Sequence, residues 1–208
     1  MSTASFQDRE ETRLILASAS ASRAAMLTNA GLTFSVEPST IDEAPIKREM
    51  TARGAAVAEV AERLAREKAL DVAGRNPGAL VLGADQMLDC GGKWLDKPAD
   101  RAAAAEHLRL LRGRTHHLVT SAVVVRDDQV LWHHFERAEM SMRELSDAFV
   151  DRYLDEIGDD ACRSVGAYQL EGRGAQLFDR VAGDFFVVLG LPLLPLLGFL
   201  RREGVLQR

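Results

Sequence analysis

Residues 79–84 (ALVLGA) form an unbroken apolar run of strand length that gives way abruptly to Asp85. A strand with no polar alternation is apolar on both faces, so it belongs inside a sheet that other layers cover. The rest of the chain supplies those layers. Residues 14–17 (LILA) are a second buried strand, and the polar turn Ser18-Ala19-Ser20-Ala21-Ser22 carries it into a helix over about 23–30, closed by Gly31. Residues 32–36 suggest another strand, followed by a turn-rich acidic loop over 37–45. A helix over about 53–73 follows, with Val57, Val60, Ala61, Leu64 and Val72 on one stripe and Lys68 on that same face.

Met87-Leu88 and Trp94-Leu95 flank Asp89-Cys90-Gly91-Gly92 as a hairpin would, and Asp100 caps a helix over 101–112. Residues 118–126 and 129–142 are β-rich. Ser141 and Glu144 have capping-box spacing ahead of a helix that Gly158 stops. Residues 166–168, 176–181 and 185–189 suggest short strands, and a last helix opens at Pro192. This alternation predicts an α/β fold with a mixed central sheet and flanking helices.

With 208 residues, 47% of them hydrophobic, the chain suits one domain over 13–208 behind a polar, disordered lead over 1–12. A net charge of -5 does not suit a surface devoted to nucleic acid, so an anionic ligand must be small and held in a local pocket. Cys90 and Cys162 have neither disulfide-framework nor metal-ligand spacing, which favours a reducing, cytoplasmic setting. The sixteen apolar residues 185–200 fall short of the ~18 needed to span a membrane, and Pro192 and Pro195 interrupt them.

Several residues carry chemical promise, each with a plain alternative. The 18–23 turn places three hydroxyls, backbone amides and Arg23 at a helix N-terminus, which favours an anion; equally, the serines cap the helix. Asp85, ending a buried strand, lies where open α/β sheets bind ligands, or is a turn residue. Lys68 must either snorkel or meet an anion. Lys97 reads as a solvated loop lysine. Asp42-Glu43 is either a solvated acidic loop or a source of hard oxygen ligands. The adjacent pairs His116-His117 and His133-His134 point to opposite faces of a strand and make no bidentate metal site. No Walker loop or nucleophile elbow occurs.

Taken together, LILASASASR, IDE, LAREKA, VLGADQ, DKP, LRGRTH, GAYQLEGRG and VLGLPL run in order through nearly the whole chain. This set resembles the Maf family of nucleoside triphosphate pyrophosphatases, also known for septum-formation inhibition. The resemblance implies a fold similar to inosine triphosphate pyrophosphatase, two lobes around a cleft, and a homodimer. It also implies hydrolysis of a nucleoside triphosphate to the monophosphate and pyrophosphate with Mg²⁺ or Mn²⁺. By the same resemblance, Glu43 and Asp85 hold the metal, Asp85 accepts the proton of the attacking water, and Ser18, Arg23, Lys68 and Lys97 bind the phosphates. A regulatory nucleotide-binding protein without turnover is the competing reading. A pure phosphate binder, however, has no need of carboxylates beside the anion unless a metal bridges them.

Three positions bear on the base. The pyrimidine branch of the family has Arg, Thr and Gln where this chain has Ser22, Gln86 and Glu171; Gln86 and Glu171 look like the 7-methylguanine branch. A carboxylate at Glu171 can accept from the N1–H and N2–H₂ edge of guanine and complements the charge that N7 methylation adds. The flanking Gly166-Ala167-Tyr168 and Gly172-Arg173-Gly174 still resemble the pyrimidine branch.

Overall fold

A seven-stranded mixed sheet organises residues 13–207, the part of the chain that the computed structural model describes. The expected lead over 1–12 lies outside these residues. The strands are β1 (Leu14–Leu16), β2 (Ser35–Val36), β3 (Leu80–Cys90), β4 (Lys93–Leu95), β5 (Thr115–Arg126), β6 (Gln129–Met142) and β7 (Phe178–Ala182). Their order is β2-β1-β3-β5-β6-β7, with β4 paired to the far end of β3. β1 runs parallel to β2 and β3, whereas β3–β4 and β6–β7 are antiparallel, so the sheet is mixed as expected. The helices are α1 (Ala21–Asn29), α2 (Glu43–Ala52), α3 (Val57–Ala73), α4 (Arg101–Leu111), α5 (Asp147–Ile157), α6 (Phe185–Val188) and α7 (Leu193–Arg202). Among the described residues no helix is long and apolar enough to cross a membrane.

The chain divides into two compact units. Among the described residues, the first gathers 13–85, Thr120–Glu136 and 190–207. Its core packs Ile15, Val81, Val123 and Val125 of the sheet against Ala65, Ala69 and Val72 of α3. The second takes Gln86–Val119 and Arg137–Leu189, and it is built on Leu88, Leu108, Leu111, Leu118, Met140, Leu154 and Tyr168.

Where signals were local, the expected elements form. Asp100 caps α4 by accepting from the Ala103 amide at 2.8 Å. The β3–β4 hairpin turns through Gly91 and Gly92, at φ 63° and 87°, the pair of positive values that a two-residue turn of this hand requires. Four expectations are corrected. The acidic loop over 37–45 is cut short, because Asp42 caps α2 and Glu43 and Pro45 occupy its first turn. α3 accordingly starts at Val57 rather than near 53. The helix after β6 is capped by Ser146, not Ser141, which lies within β6. Residues 166–168 and 185–189 are helical turns rather than strands; Asp184 takes the amides of Phe186 and Val187 and starts α6.

Candidate active site

β1 leads straight into the first candidate segment. The Ala17 amide extends the ladder by donating to Leu82 O at 2.8 Å, and the chain then turns into α1. Ser20 is the N-cap, its side chain accepting from the Arg23 amide at 3.4 Å. Ser18 is buried, and its Oγ accepts from the Ser20 amide at 3.3 Å and from Arg23 Nη1 at 3.0 Å. The capping reading therefore holds for Ser20, while Ser18 forms a separate polar pair with Arg23. Ser22 sits half-buried in the first turn of α1.

Arg23 does more than line this turn. Its Nη1 also donates to Ala84 O at 2.9 Å and its Nε to Gly190 O at 2.8 Å. It thus ties the start of α1 to the residue preceding Asp85. Burial pushes the Arg23 guanidinium below its ordinary value, and the pull of the Asp85 and Glu43 carboxylates opposes that.

Asp85 itself does not end a strand. β3 continues to Cys90, and Asp85 lies between the stretch paired with β1 (Leu80–Leu82) and the stretch paired with β4 (Leu88–Cys90). This is three residues past the carboxyl end of the parallel pairing, the region where open α/β sheets place their ligands. What brings Lys68 to it is Gly83. A Cβ at Gly83 would fall 2.1 Å from Ala65 O and 2.9 Å from the Ala69 amide nitrogen, so α3 lies directly on the β3 backbone there. With Ala65 and Ala69 at that contact, the helix presents Lys68 toward Asp85.

The outcome is a compact ionic cluster. Lys68 Nζ is 2.6 Å from Asp85 Oδ1 and 2.7 Å from Glu43 Oε1, with the lysine side chain only 13% exposed. Lys68 therefore meets anions rather than snorkelling. Lys47, one turn along α2, reaches Glu43 Oε2 at 3.3 Å. Burial raises the Glu43 pKa, but Lys68 and Lys47 together outweigh it and hold the carboxyl below its ordinary value. Asp85 Oδ2 is buried and has no hydrogen-bond partner among the described residues. Leaving such an oxygen unpaired is costly, so the site is built for a further donor or cation.

Asp42 and Glu43 have separate jobs. Asp42 Oδ1 accepts from the Ala44 amide at 3.0 Å, while Glu43 alone faces Lys68. The remaining candidates belong to the second unit. Gln86 Nε2 donates to Val187 O at 2.9 Å and to Val188 O at 3.1 Å. Lys97 is exposed just after β4, and Glu171 is exposed between two 3-10 turns.

Residues 13–203 match a family model described as Maf-like protein. The chain belongs to the Maf family. A "Nucleoside triphosphate pyrophosphatase" of Paramagnetospirillum magneticum is 53% identical over 192 residues, 92% of this chain and 99% of the relative. A "7-methyl-GTP pyrophosphatase" of Rhizobium meliloti is 51% identical over 93% of this chain and 98% of its own length. Among solved structures, a nucleoside-triphosphatase / dITP/XTP pyrophosphatase from Mycobacterium abscessus overlaps 64% of this chain and 76% of its own, with TM-score 0.39 and 16% identity.

Two residues that support this cluster carry little or no signal in the sequence of this Maf-family chain. Lys47 carried a signal, the i,i+4 spacing to Glu43, which counts only once that segment is known to be helical. Asp71, which holds the segment before Glu43, carried no local signal.

Proposed function

We propose that this protein hydrolyses a nucleoside triphosphate to the nucleoside monophosphate and pyrophosphate, using the cluster on α2, α3 and β3. The observation that carries the reading is the Lys68 ammonium shared by Glu43 and Asp85 while Asp85 Oδ2 is left bare. The names of relatives about half identical over nearly the full chain support it.

In the reaction, water attacks the α-phosphorus, the P–O bond to the bridging oxygen breaks, and pyrophosphate leaves with that bond's electron pair. The water must lose a proton, and Asp85 Oδ2 is the acceptor, a buried carboxylate oxygen with nothing else bound to it. Lys68 fixes that carboxylate by holding Oδ1. In this reading Arg23 and Ser18, joined at the start of α1, take the phosphates, since the helix dipole there favours an anion. Arg23 also braces Ala84, so a shift of the guanidinium would be felt at Asp85.

The donor set fits a divalent cation. Two carboxylates, one with an unpartnered oxygen, are hard ligands of the kind that take Mg²⁺ or Mn²⁺ together with phosphate oxygens and water. Glu43 and Asp85 would hold the ion or its water, Asp85 Oδ2 being the oxygen on the water side. Such an ion, when bound, supplies Lewis-acid stabilisation of charge on the phosphoryl oxygens.

The preferred base in this reading is 7-methylguanine or another guanine. Its support is the carboxylate at Glu171 together with the Rhizobium meliloti relative's name. The parts assigned to Lys97, Gln86 and Glu171 rest on family resemblance. The test is a panel of canonical and methylated nucleoside triphosphates with Mg²⁺ or Mn²⁺, read as pyrophosphate. The expected result is kcat/KM highest for 7-methyl-GTP, with Glu171→Gln shifting the ratio toward dTTP and UTP. A wild-type optimum on dTTP or UTP contradicts the base preference alone; binding without turnover on every member favours the regulatory reading.

A further inference from the structure

Glu43 reaches Lys68 at the end of a six-residue connection, 37–42, that has no regular secondary structure after β2. Such a strap has many conformations, and only one of them delivers Glu43 to within 2.7 Å of the ammonium. Something must hold it. One carboxylate oxygen does so near its middle: Asp71 Oδ2 accepts from Ser39 Oγ at 2.8 Å and from the Thr40 amide at 2.9 Å. Ser39 Oγ in turn accepts from the Ile41 amide at 3.3 Å, and Asp42 then caps α2. The start of the strap is fastened separately. Asn76, buried after α3, donates from Nδ2 to Glu37 Oε2 at 2.8 Å, and Arg75 Nε lies 3.3 Å from Glu37 Oε1.

Asp71 stands three residues beyond Lys68 on the same helix. One rigid element therefore presents the ammonium to the cluster and grips the strap that brings the carboxylate to it. Burial raises the Asp71 pKa, but the Thr40 amide, Ser39 and Arg75 outweigh it, which keeps this carboxylate ionised and its bonds charge-assisted.

We propose that Asp71 is a positioning residue that fixes Glu43 at the metal-binding cluster by clamping Ser39 and Thr40. The proposal rests on the role given to Glu43 above. Asp71 touches neither phosphate nor metal; it acts through the strap. Small displacements of a reacting constellation cost rate steeply, and hydrogen bonds to a charged group are among the stronger ones.

The test compares kcat/KM and Mn²⁺ affinity of the ligand-free protein across five forms: wild type, Glu43→Gln, Asp71→Ala, Asp71→Asn and the Asp71→Ala/Glu43→Gln double variant. Asp71→Ala should lose roughly tenfold in kcat/KM and weaken Mn²⁺ binding. Asp71→Asn should recover most of both, since its amide oxygen still accepts from Ser39 and Thr40. In the Glu43→Gln background Asp71→Ala should add little. Full activity in Asp71→Ala alongside an impaired Glu43→Gln overturns the proposal, as does an Asp71→Ala loss of the same size with and without Glu43. An unimpaired Glu43→Gln overturns the role of Glu43 itself. Should Asp71→Ala fail to fold, Ser39→Ala removes one of the two clamp bonds, and the same comparison applies.

Discussion

Each of the two units buries polar groups in its interior, and they do so in opposite ways. In the first, Lys68, Glu43 and Asp85 are charged, crowded and incompletely paired. In the second, His116 is fully buried and its Nε2 hydrogen-bonds the Tyr168 hydroxyl at 2.7 Å, with the ring against Tyr168 and Phe178. Burial, helped by the neighbouring His117, pushes the His116 pKa down to about 4, so this pair is neutral at physiological pH. Burial likewise raises the Tyr168 hydroxyl well above its ordinary value. His116 Nδ1, like Asp85 Oδ2, is buried without a partner among the described residues, so the units differ in charge rather than in saturation, and a neutral pair of this kind specifies packing. A charged group with an open valence, bought at a cost in desolvation, is what a protein retains for chemistry.

Collapsing the geometry of the charged cluster should have the largest effect. Gly83→Ala forces its Cβ onto the α3 backbone, so helix and strand must separate. The expected loss is about 3 kcal/mol of stability and roughly hundredfold in kcat/KM, read by urea unfolding and pyrophosphate release. A Gly83→Ala protein with wild-type stability would show that the close contact is not what sets Lys68.

The neutral pair makes a prediction of similar size in pH. The unfolded histidine has the ordinary value of 6.5 and the folded one about 4. Above pH 6.5 both states are neutral and the full stability is present. As pH falls from 6.5 toward 4 the unfolded state binds the proton first, and stability declines by about 3 kcal/mol in total from this group. An NMR titration of the His116 ring should give a midpoint near 4; a midpoint near 6.5 would erase the contrast between the units.

Lys68→Ala should have the smallest effect on stability. It leaves two carboxylates facing each other, and the cost is about 2 kcal/mol, moderated because the Glu43 side chain is 36% exposed. Added Mn²⁺ should raise the Tm of Lys68→Ala more than that of wild type, because the cation can then replace the ammonium between the carboxylates. Equal shifts in the two proteins would place the metal elsewhere.

What sequence conveyed divides along the same lines. The run 79–84, the Asp100 cap and the Gly91-Gly92 turn were legible because each depends on its own neighbours. The sequence places Asp85 at the end of a buried strand or in a turn, whereas it is buried within β3. β3 continues because its pairing passes from β1 to β4, and a change of partner leaves no local mark. Lys68 was left between snorkelling and an inward role, which only the α3–β3 contact at Gly83 decides. Glu43 was read as part of a loop, since the short α2 declares itself mainly through Asp42 and Pro45. The Asp71 clamp joins residues more than thirty positions apart and is a tertiary fact throughout.

The most direct test is to measure pyrophosphate and nucleoside monophosphate from wild type and Asp85→Asn, each across a Mn²⁺ titration and in excess chelator. Wild type should release the two products in equal amounts only when the metal is present. Asp85→Asn, with an unchanged unfolding profile, should lose ~10² to 10⁴-fold in turnover. Orthophosphate with a nucleoside diphosphate as products, or near-wild-type turnover by Asp85→Asn, would contradict the assignment of this cluster.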